Sequence, residues 1–124
     1  MPNDYAPITI RGAKLAENKF NDGNGVYLVT SLIEQSKNLP VIDIPLAAIF
    51  VGSDVFSPIT NAYELAKHMK RVQETSLEYP IIMDEEGFIM DGWHRVAKAL
   101  LEGRSTIKAV RFEQTPAPDY YKQD

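Results

Sequence analysis

The sequence predicts a small α/β (α+β) domain in which a mixed sheet of four or five strands packs against helices. In several short segments apolar and polar residues alternate, as in strands. In the longer segments between them, apolar residues recur at helical spacing. The length of 124 residues suits one domain with a buried core. Apolar and charged fractions of 44% and 24% are those of a globular chain, which excludes disorder of the whole chain.

Composition also excludes several classes of function. The chain has no cysteine, so disulfides, thiolate catalysis and cysteine-ligated zinc are excluded. A net charge of −4 argues against a broad basic nucleic-acid surface but leaves a local one open. The N-terminus lacks a secretory pattern and no run approaches the ~18 apolar residues of a membrane span, so we expect a cytoplasmic protein without a membrane partner.

The first forty residues have the least regular pattern. Ile8 and Ile10 alternate with polar neighbours, which predicts a short strand. The glycines and asparagines of residues 21–25 predict a turn. Residues 26–36 predict a helix, although the first five of them have the composition of a strand.

The central part predicts a strand, a loop and a helix. Residues 42–47 alternate at strand spacing, and Pro45 lacks an amide donor, which favours an edge position or the end of the strand. Asn61 followed by Glu64 is a helix N-cap signature, and the helix should end between residues 72 and 75. Its apolar positions at helical spacing are Ala62, Leu65, Met69 and Val72, and its polar face carries Lys67, Lys70, Arg71 and Glu74.

The last part predicts a hairpin, a helix and a final strand. Gly92 breaks the second strand of the hairpin, and Gly103 stops the helix that follows. The predicted order is a strand at 79–84, a turn at 85–87, a strand at 88–91, a helix from 93 or 94 to 102, and a strand at 107–112.

These elements divide the chain into three predicted parts. Residues 41–113 form the domain, and residues 1–40 form an N-terminal extension that packs on it or provides a surface for a homo-oligomer. Residues 114–124 form a C-terminal tail, which we expect to leave the core because it carries two prolines. Its aromatic residues, Tyr120 and Tyr121, are then available to dock on a neighbour.

The predicted chemistry concentrates at the start of the last helix. A helix start exposes unpaired amides and the positive end of the helix dipole, and both attract phosphate. His94 and Arg95 add an imidazole and a guanidinium to the same first turn, directly after Gly92. The dipole disfavours cations there, so a compensating anionic ligand is indicated. The sequence therefore predicts a phosphate site at this turn.

Several alternatives stay open around this turn. Asp91 either holds a magnesium ion that bridges phosphates or orients a donor of the turn, or it merely ends a strand. His94 and Arg95 alternatively pair with Asp91 or Glu102 on the surface. Trp93 either stacks on a base or ribose or anchors the helix to the core, and the second is favoured.

The segment from about Ile42 to Phe112, which contains PIIMDEEGFIMDGWHRVAKALLEG, resembles the ParB/sulfiredoxin-like domain, the family also labelled ParB-like nuclease. The resemblance implies that the Gly-x-His-Arg turn cradles the phosphates of a nucleotide, ATP, ADP or CTP according to the branch. It assigns this role to Gly92, His94 and Arg95, with Trp93 in the variable position.

The branches of this family differ in what they imply. Sulfiredoxins carry a cysteine where Trp93 stands, so that activity is excluded. Chromosome-partitioning ParB proteins have an arginine-rich turn followed by a helix-turn-helix region, for which we expect no room after the last strand. The free-serine kinases are closest in the Asp-Gly-x-His-Arg turn. Their acidic loop is loosely matched by residues 54–58, although the arginine that usually follows is replaced by residues 59–61.

The kinase interpretation assigns two carboxylates. Asp54 is the candidate base that accepts a proton from a hydroxyl nucleophile, and Asp91 is the candidate magnesium ligand. The simpler interpretation of Asp54 is a turn residue that bonds to its own backbone, and it is favoured because aspartate is common in loops.

The leading prediction is a protein that binds a nucleotide or phosphate, with its activity as an enzyme left open. One rival is a small-molecule kinase that uses ATP or ADP, and another is a non-enzymatic DNA-partition, phage or plasmid adaptor. A nuclease ranks lowest because no cluster of metal-binding carboxylates stands out. DNA contact by Lys70 or Arg71 is weaker than the interpretation of a solvated helix face, and His68 with His94 makes a poor zinc site.

Overall fold

The computed structural model describes residues 6–10, 19–56 and 58–122 and confirms the predicted α+β class. Within these ranges the helices are α1 (Val29–Ser36), α2 (Ala62–Glu74) and α3 (Trp93–Leu101). The strands are β1 (Lys19–Asn21), β2 (Gly25–Leu28), β3 (Ile42–Pro45), β4 (Ile81–Met83), β5 (Ile89–Asp91), β6 (Thr106–Arg111) and β7 (Tyr120–Tyr121). None of these helices is long and apolar enough to cross a bilayer. Arg11 and Ser57, and parts of the predicted extension and tail, lie outside the described residues.

The larger sheet is mixed and has the strand order β3-β6-β4-β5. β6 runs antiparallel to β3 and parallel to β4, and β4 forms an antiparallel hairpin with β5. The four strands match the predicted sheet, and Pro45 lies on the edge strand β3, where its missing amide costs no ladder hydrogen bond. The hairpin places Asp91 opposite Ile82 at the end of β5, and this fixes where the following turn lies.

Three local predictions are confirmed. The Asn61 side chain accepts a hydrogen bond of 2.9 Å from the Glu64 amide at the start of α2. Gly87 has a φ of 91° in the hairpin turn, and Gly103 has a φ of 68° after α3. Each of these features depends on residues a few positions apart, so it can be predicted from the sequence alone.

Two predictions for the first forty residues are wrong. The helix predicted from residue 26 begins at Val29, because residues 25–28 form β2, which pairs with β1 on one side and β7 on the other. The β-branched and aromatic composition of β2 decides its structure once partner strands are present. Ile8 and Ile10 lie in a segment without strand structure, and the Ile8 side chain is 85% exposed.

The C-terminal tail does not leave the domain as predicted. Residues 120–121 add β7 to β2, and the Tyr27 hydroxyl donates a 2.9 Å hydrogen bond to the Pro116 carbonyl oxygen. The Asp119 carboxylate accepts hydrogen bonds from the Leu28 amide and the Ser31 hydroxyl, both at 2.8 Å. The tail therefore completes a second, three-stranded sheet of the same chain.

Two apolar clusters cover opposite faces of the larger sheet. Successive residues of its strands alternate between them, as Ile81 and Ile82 show. One cluster joins the sheet to α3 and contains Leu46, Ile81, Ile89, Val96, Ala99, Ile107 and Ala109. The other joins it to β2 and α1 and contains Tyr27, Leu32, Ile82, Met90, Val110 and Phe112. Residues 25–36 thus cover one face of the sheet.

Helix α2 is oriented differently from what its apolar spacing predicts. Leu65 and Met69 are 47% and 53% exposed, and none of the helix residues is buried. His68 and Arg71 are half-buried instead, and both line a cavity beside the start of α3. The orientation of α2 therefore brings polar side chains toward the predicted phosphate turn.

Candidate functional site

Gly92 makes the turn from β5 into α3, and no other residue fits there. Its φ is 116°, a conformation that side chains with a Cβ rarely adopt. A Cβ on Gly92 would lie 2.5 Å from Ile81 Cγ2 and 2.9 Å from Ile81 Cβ. As the N-cap residue it provides no side-chain acceptor for the first amides of α3. The turn therefore brings bare helix amides close to the edge of the sheet.

Arg95 faces into the protein rather than away from it. Its Nη2 atom donates to the Asp91 carboxylate at 3.0 Å and to the Pro80 carbonyl oxygen at 3.2 Å. The side chains of Arg95 and Asp91 are only 15% and 22% exposed. Its Nε atom is buried and has no hydrogen-bond partner among the described residues. Arg95 thus ties the turn together through Asp91, which is the pairing foreseen as an alternative to phosphate contact.

His94 pairs with His68 across the gap between α3 and α2. His68 Nδ1 lies 3.0 Å from His94 Nε2, and the two rings stack with their centroids 5.3 Å apart and an angle of 13°. The Phe56 ring packs against both, at centroid distances of 4.8 Å to His94 and 5.2 Å to His68. These contacts fix the His94 ring at the back of the turn.

Burial and neighbouring charges keep both rings neutral. Burial, followed by the charges of Arg71, His68 and Arg95, lowers the pKa of His94 to about 4. Burial and the charge of Arg71 also lower the pKa of His68. At pH 7 both imidazoles are therefore neutral, and the positive charge beside the turn comes from Arg71 and Arg95.

Two cavities of about 720 Å³ and about 630 Å³ meet at this turn. Arg71, Asp91, Gly92 and His94 line both of them. The larger cavity extends from the turn toward the end of α1 and also contains Arg95. The turn therefore presents its polar groups to two openings that are each wide enough for a small ligand.

The smaller cavity brings Asp54 to the same site as Asp91. Asp54 is exposed, on the loop that also carries Phe56, and both residues line this cavity. Trp93 lines it too, while its half-buried ring packs against the core cluster around α3. The structure thus places Asp54 and all residues of the turn around one pair of cavities.

Arg71 was considered from the sequence only as a weak DNA contact, and its place beside the turn was not predicted. It is half-buried, and it has no hydrogen bond or ion pair to any side chain in the described ranges. Burial lowers the pKa of its guanidinium, and the charge of Asp91 opposes this shift. His68 and Arg71 are three residues apart, so they lie on one face of the helix. This spacing points to the site only once the structure shows that His94 faces His68.

Lys70 and Arg71, the two residues of α2 considered for DNA contact, have different surroundings. Lys70 Nζ lies 3.8 Å from the Glu74 carboxylate and 3.4 Å from the Ile10 carbonyl oxygen. Arg71 faces the cavities instead of the outer surface of the helix. The charges of these two residues are therefore directed to different parts of the molecule.

Asp91 is the acidic residue best placed for a cation near the turn. One of its oxygens accepts from Arg95, and no other hydrogen bond to this carboxylate is formed by the residues that the structure describes. Within those same residues, no three histidine or acidic side chains converge as a metal site. Asp91 is therefore a single carboxylate that could contribute to holding a cation.

Comparison with known proteins gives no match: no protein-family model, no curated protein and no solved structure is significantly similar to this chain.

Proposed function

We propose that this protein binds a nucleotide through its phosphates at the Asp91–Arg95 turn, as a ParB-like domain would. The observation that supports this most directly is the uncapped start of α3 at Gly92, which opens onto two cavities lined by Arg71. Backbone amides at a helix start and a nearby guanidinium are the groups that proteins use to hold phosphate. ATP, ADP and CTP are the candidate ligands.

The residues of the turn have different roles in binding. The amides after Gly92 donate to phosphate oxygens, and the neutral His94 ring adds a hydrogen bond. Arg95 holds the turn in shape through Asp91 and Pro80. A Mg²⁺ ion that accompanies the nucleotide neutralises phosphate charge, and Asp91 is the residue that would hold it.

Binding is tested by thermal shift with ATP, ADP and CTP, each with and without Mg²⁺, at pH 7.5. A nucleotide at 100 times its Kd stabilises the folded state by about 2.7 kcal/mol, which is a shift of several degrees for a chain of this size. An NMR titration then locates the ligand. The amides of residues 92–95 should shift strongly, while those of Gly23 and Asn24 in the β1–β2 turn serve as the internal control. A protein that shifts with none of these nucleotides does not have the proposed function.

A second candidate function is a small-molecule kinase, which is favoured because Asp54 and Asp91 line the same cavity. In this function the Asp54 carboxylate accepts the proton of a substrate hydroxyl, whose oxygen attacks the terminal phosphorus of ATP or ADP. The bond from that phosphorus to its bridging oxygen breaks, and the nucleotide leaves with one phosphate fewer.

The kinase is tested by ³¹P NMR with serine and related hydroxyl compounds as acceptors. Asp54→Asn should abolish phosphate transfer while nucleotide binding is retained, because the exposed Asp54 carboxylate contributes little to the fold. Asp43→Asn is the matched control, since Asp43 is also exposed but lies on β3 and lines neither cavity. Full transfer by the Asp54 variant rules out this mechanism.

A further inference from the structure

Within the described ranges, every charged residue that lines the larger cavity forms an ion pair except Arg71. Lys37 pairs with Glu34, Glu74 pairs with Lys70, and Arg95 pairs with Asp91. Arg71 lines the same cavity and forms no ion pair within 4.0 Å among the described residues. A half-buried guanidinium with five donors and no direct acceptor is unfavourable, because the hydration it has lost is not replaced by protein contacts.

Much of the remaining wall of this cavity is apolar, with Ser36 and Thr75 as its polar members. It is formed where the end of α1 and the following loop approach the sheet, and Tyr79 stands at its rim with its side chain 68% exposed. The apolar lining residues are Ile33, Leu39, Val41, Ile82 and Val110. The cavity thus joins the guanidinium of Arg71 to a largely apolar wall, within a volume of about 720 Å³.

We infer that Arg71 is the residue that anchors the anionic group of the ligand, and that the body of the ligand lies on the apolar wall of the larger cavity. The matching ligand class is an anion with a flat, largely apolar body, such as a nucleoside phosphate, and not a bare phosphate ion. This inference rests on the proposed function and deepens it by naming the anchoring residue and the cavity that is used.

The competing cation is Arg95, and its contacts argue against it. Its Nη2 atom is already bonded to Asp91 and Pro80, so binding a phosphate would require it to leave a nearly buried ion pair. Arg71 can turn toward an anion without breaking any described contact. Anion binding also replaces the hydration that burial removes from its guanidinium.

The test compares binding of ADP, CTP and inorganic phosphate to the wild-type protein and to Arg71→Met by isothermal titration calorimetry at pH 7.5. Methionine keeps an apolar stem of similar length and removes the charge. We expect Arg71→Met to weaken nucleotide binding by roughly tenfold to a hundredfold, the usual cost of losing a charged hydrogen bond. Lys67→Met, which removes a charge from the same helix outside both cavities, should change affinity less than about threefold at moderate salt.

A second measurement separates anchoring from a structural role. The melting temperature of unliganded Arg71→Met should equal or exceed that of the wild type, because the change removes a half-buried cation that forms no ion pair with any described residue. Arg71→Lys should recover part of the affinity, since it restores the charge without the planar fork.

The outcomes are distinguishable. Wild-type affinity in Arg71→Met overturns this inference and leaves the proposed function standing. Inorganic phosphate that binds as tightly as the nucleotides overturns the assignment of the apolar wall. A wild-type protein that binds none of ADP, CTP and, in the thermal-shift test, ATP overturns both the proposed function and the inference.

Discussion

His68 Nδ1 lies 3.0 Å from His94 Nε2, and this contact joins α2 to the first turn of α3. Only one of the two nitrogens donates, so the contact requires that the facing nitrogen carry no proton. Phe56 covers both rings and limits the access of water to them. Arg71 lies one turn further along α2. The pair therefore links the position of Arg71 to the protonation state of the two histidines.

We predict that the fold loses stability as the pH falls from about 6.5 to about 4. The pKa of His94 is lowered to about 4 in the folded protein, and the unfolded chain has its ordinary value near 6.5. The unfolded state then binds more protons throughout this window, so the stability present above pH 6.5 is progressively lost on acidification. The loss should be on the order of 1–2 kcal/mol, because His94 is only partly buried and solvent screening reduces the effect, and urea unfolding at several pH values measures it.

His94→Gln is the control for this pH dependence. Glutamine retains hydrogen-bonding groups of similar reach but does not titrate. The variant should show a flatter stability profile between pH 6.5 and pH 4. A variant as sensitive to pH as the wild type would mean that carboxylates, and not His94, are responsible.

Gly92→Ala should cost more stability than the same change at another glycine with positive φ. Both Gly92 and Gly23 have φ values above 100°, but only at Gly92 does the new Cβ meet Ile81, at 2.5 Å. Backbone strain alone predicts a loss of about 1–2 kcal/mol at Gly23. Strain and overlap together predict about 2–4 kcal/mol at Gly92. Equal losses in urea unfolding would contradict the packing of the turn against β4.

The Asp91–Arg95 pair should show energetic coupling that an exposed pair lacks. Asp91→Asn leaves the nearly buried Arg95 charge without its partner and should cost about 2 kcal/mol. Glu102→Gln breaks a pair of nearly the same length, 3.1 Å, with Arg104, and should cost under about 0.5 kcal/mol because that pair is exposed. A double-mutant cycle with Arg95→Met measures the coupling. Strict additivity of the two changes would show that the ion pair does not hold the turn.

Asp119→Ala should destabilise α1 although Asp119 lies far along the chain. The Asp119 carboxylate accepts from the Leu28 amide and the Ser31 hydroxyl at the start of this helix, which has no cap of its own. Loss of a helix cap costs about 1 kcal/mol, and the carboxylate also favours the positive end of the dipole. Thermal unfolding measures the loss, and Asp119→Asn should retain part of the stability. A melting temperature unchanged in Asp119→Ala would show that the tail does not support α1.

Elements with local causes could be predicted from the sequence. The Asn61 cap, the hairpin turn with Gly87 and the stop at Gly103 depend on residues within one turn of each other, and all three are confirmed. The break at Gly92 was also predicted, but not the reason for it, because the side chain that excludes a Cβ belongs to Ile81 on another strand.

Elements whose partners are distant could not be predicted. The strand composition of residues 26–28 was outweighed by helical spacing, since the pairing with residues 120–121 is separated by most of the chain. The apolar spacing of Leu65 and Met69 indicated the wrong face of α2, because the helix packs through half-buried polar groups such as His68. Periodicity shows which side chains share a face of a helix or strand, but it does not show which polar contacts set the orientation of that element.

The sequence by itself determined the α+β class, the order of the elements from β3 to β6, and a glycine turn that opens a helix with bare amides. Tertiary structure alone decided that Arg95 is tied to Asp91, that His68 meets His94, and that Arg71 lines a cavity without an ion pair to any described residue. The physical reason is the range of the interactions. Caps and turns form between residues a few positions apart, whereas the charge and protonation state of a site depend on which distant side chains are buried next to it.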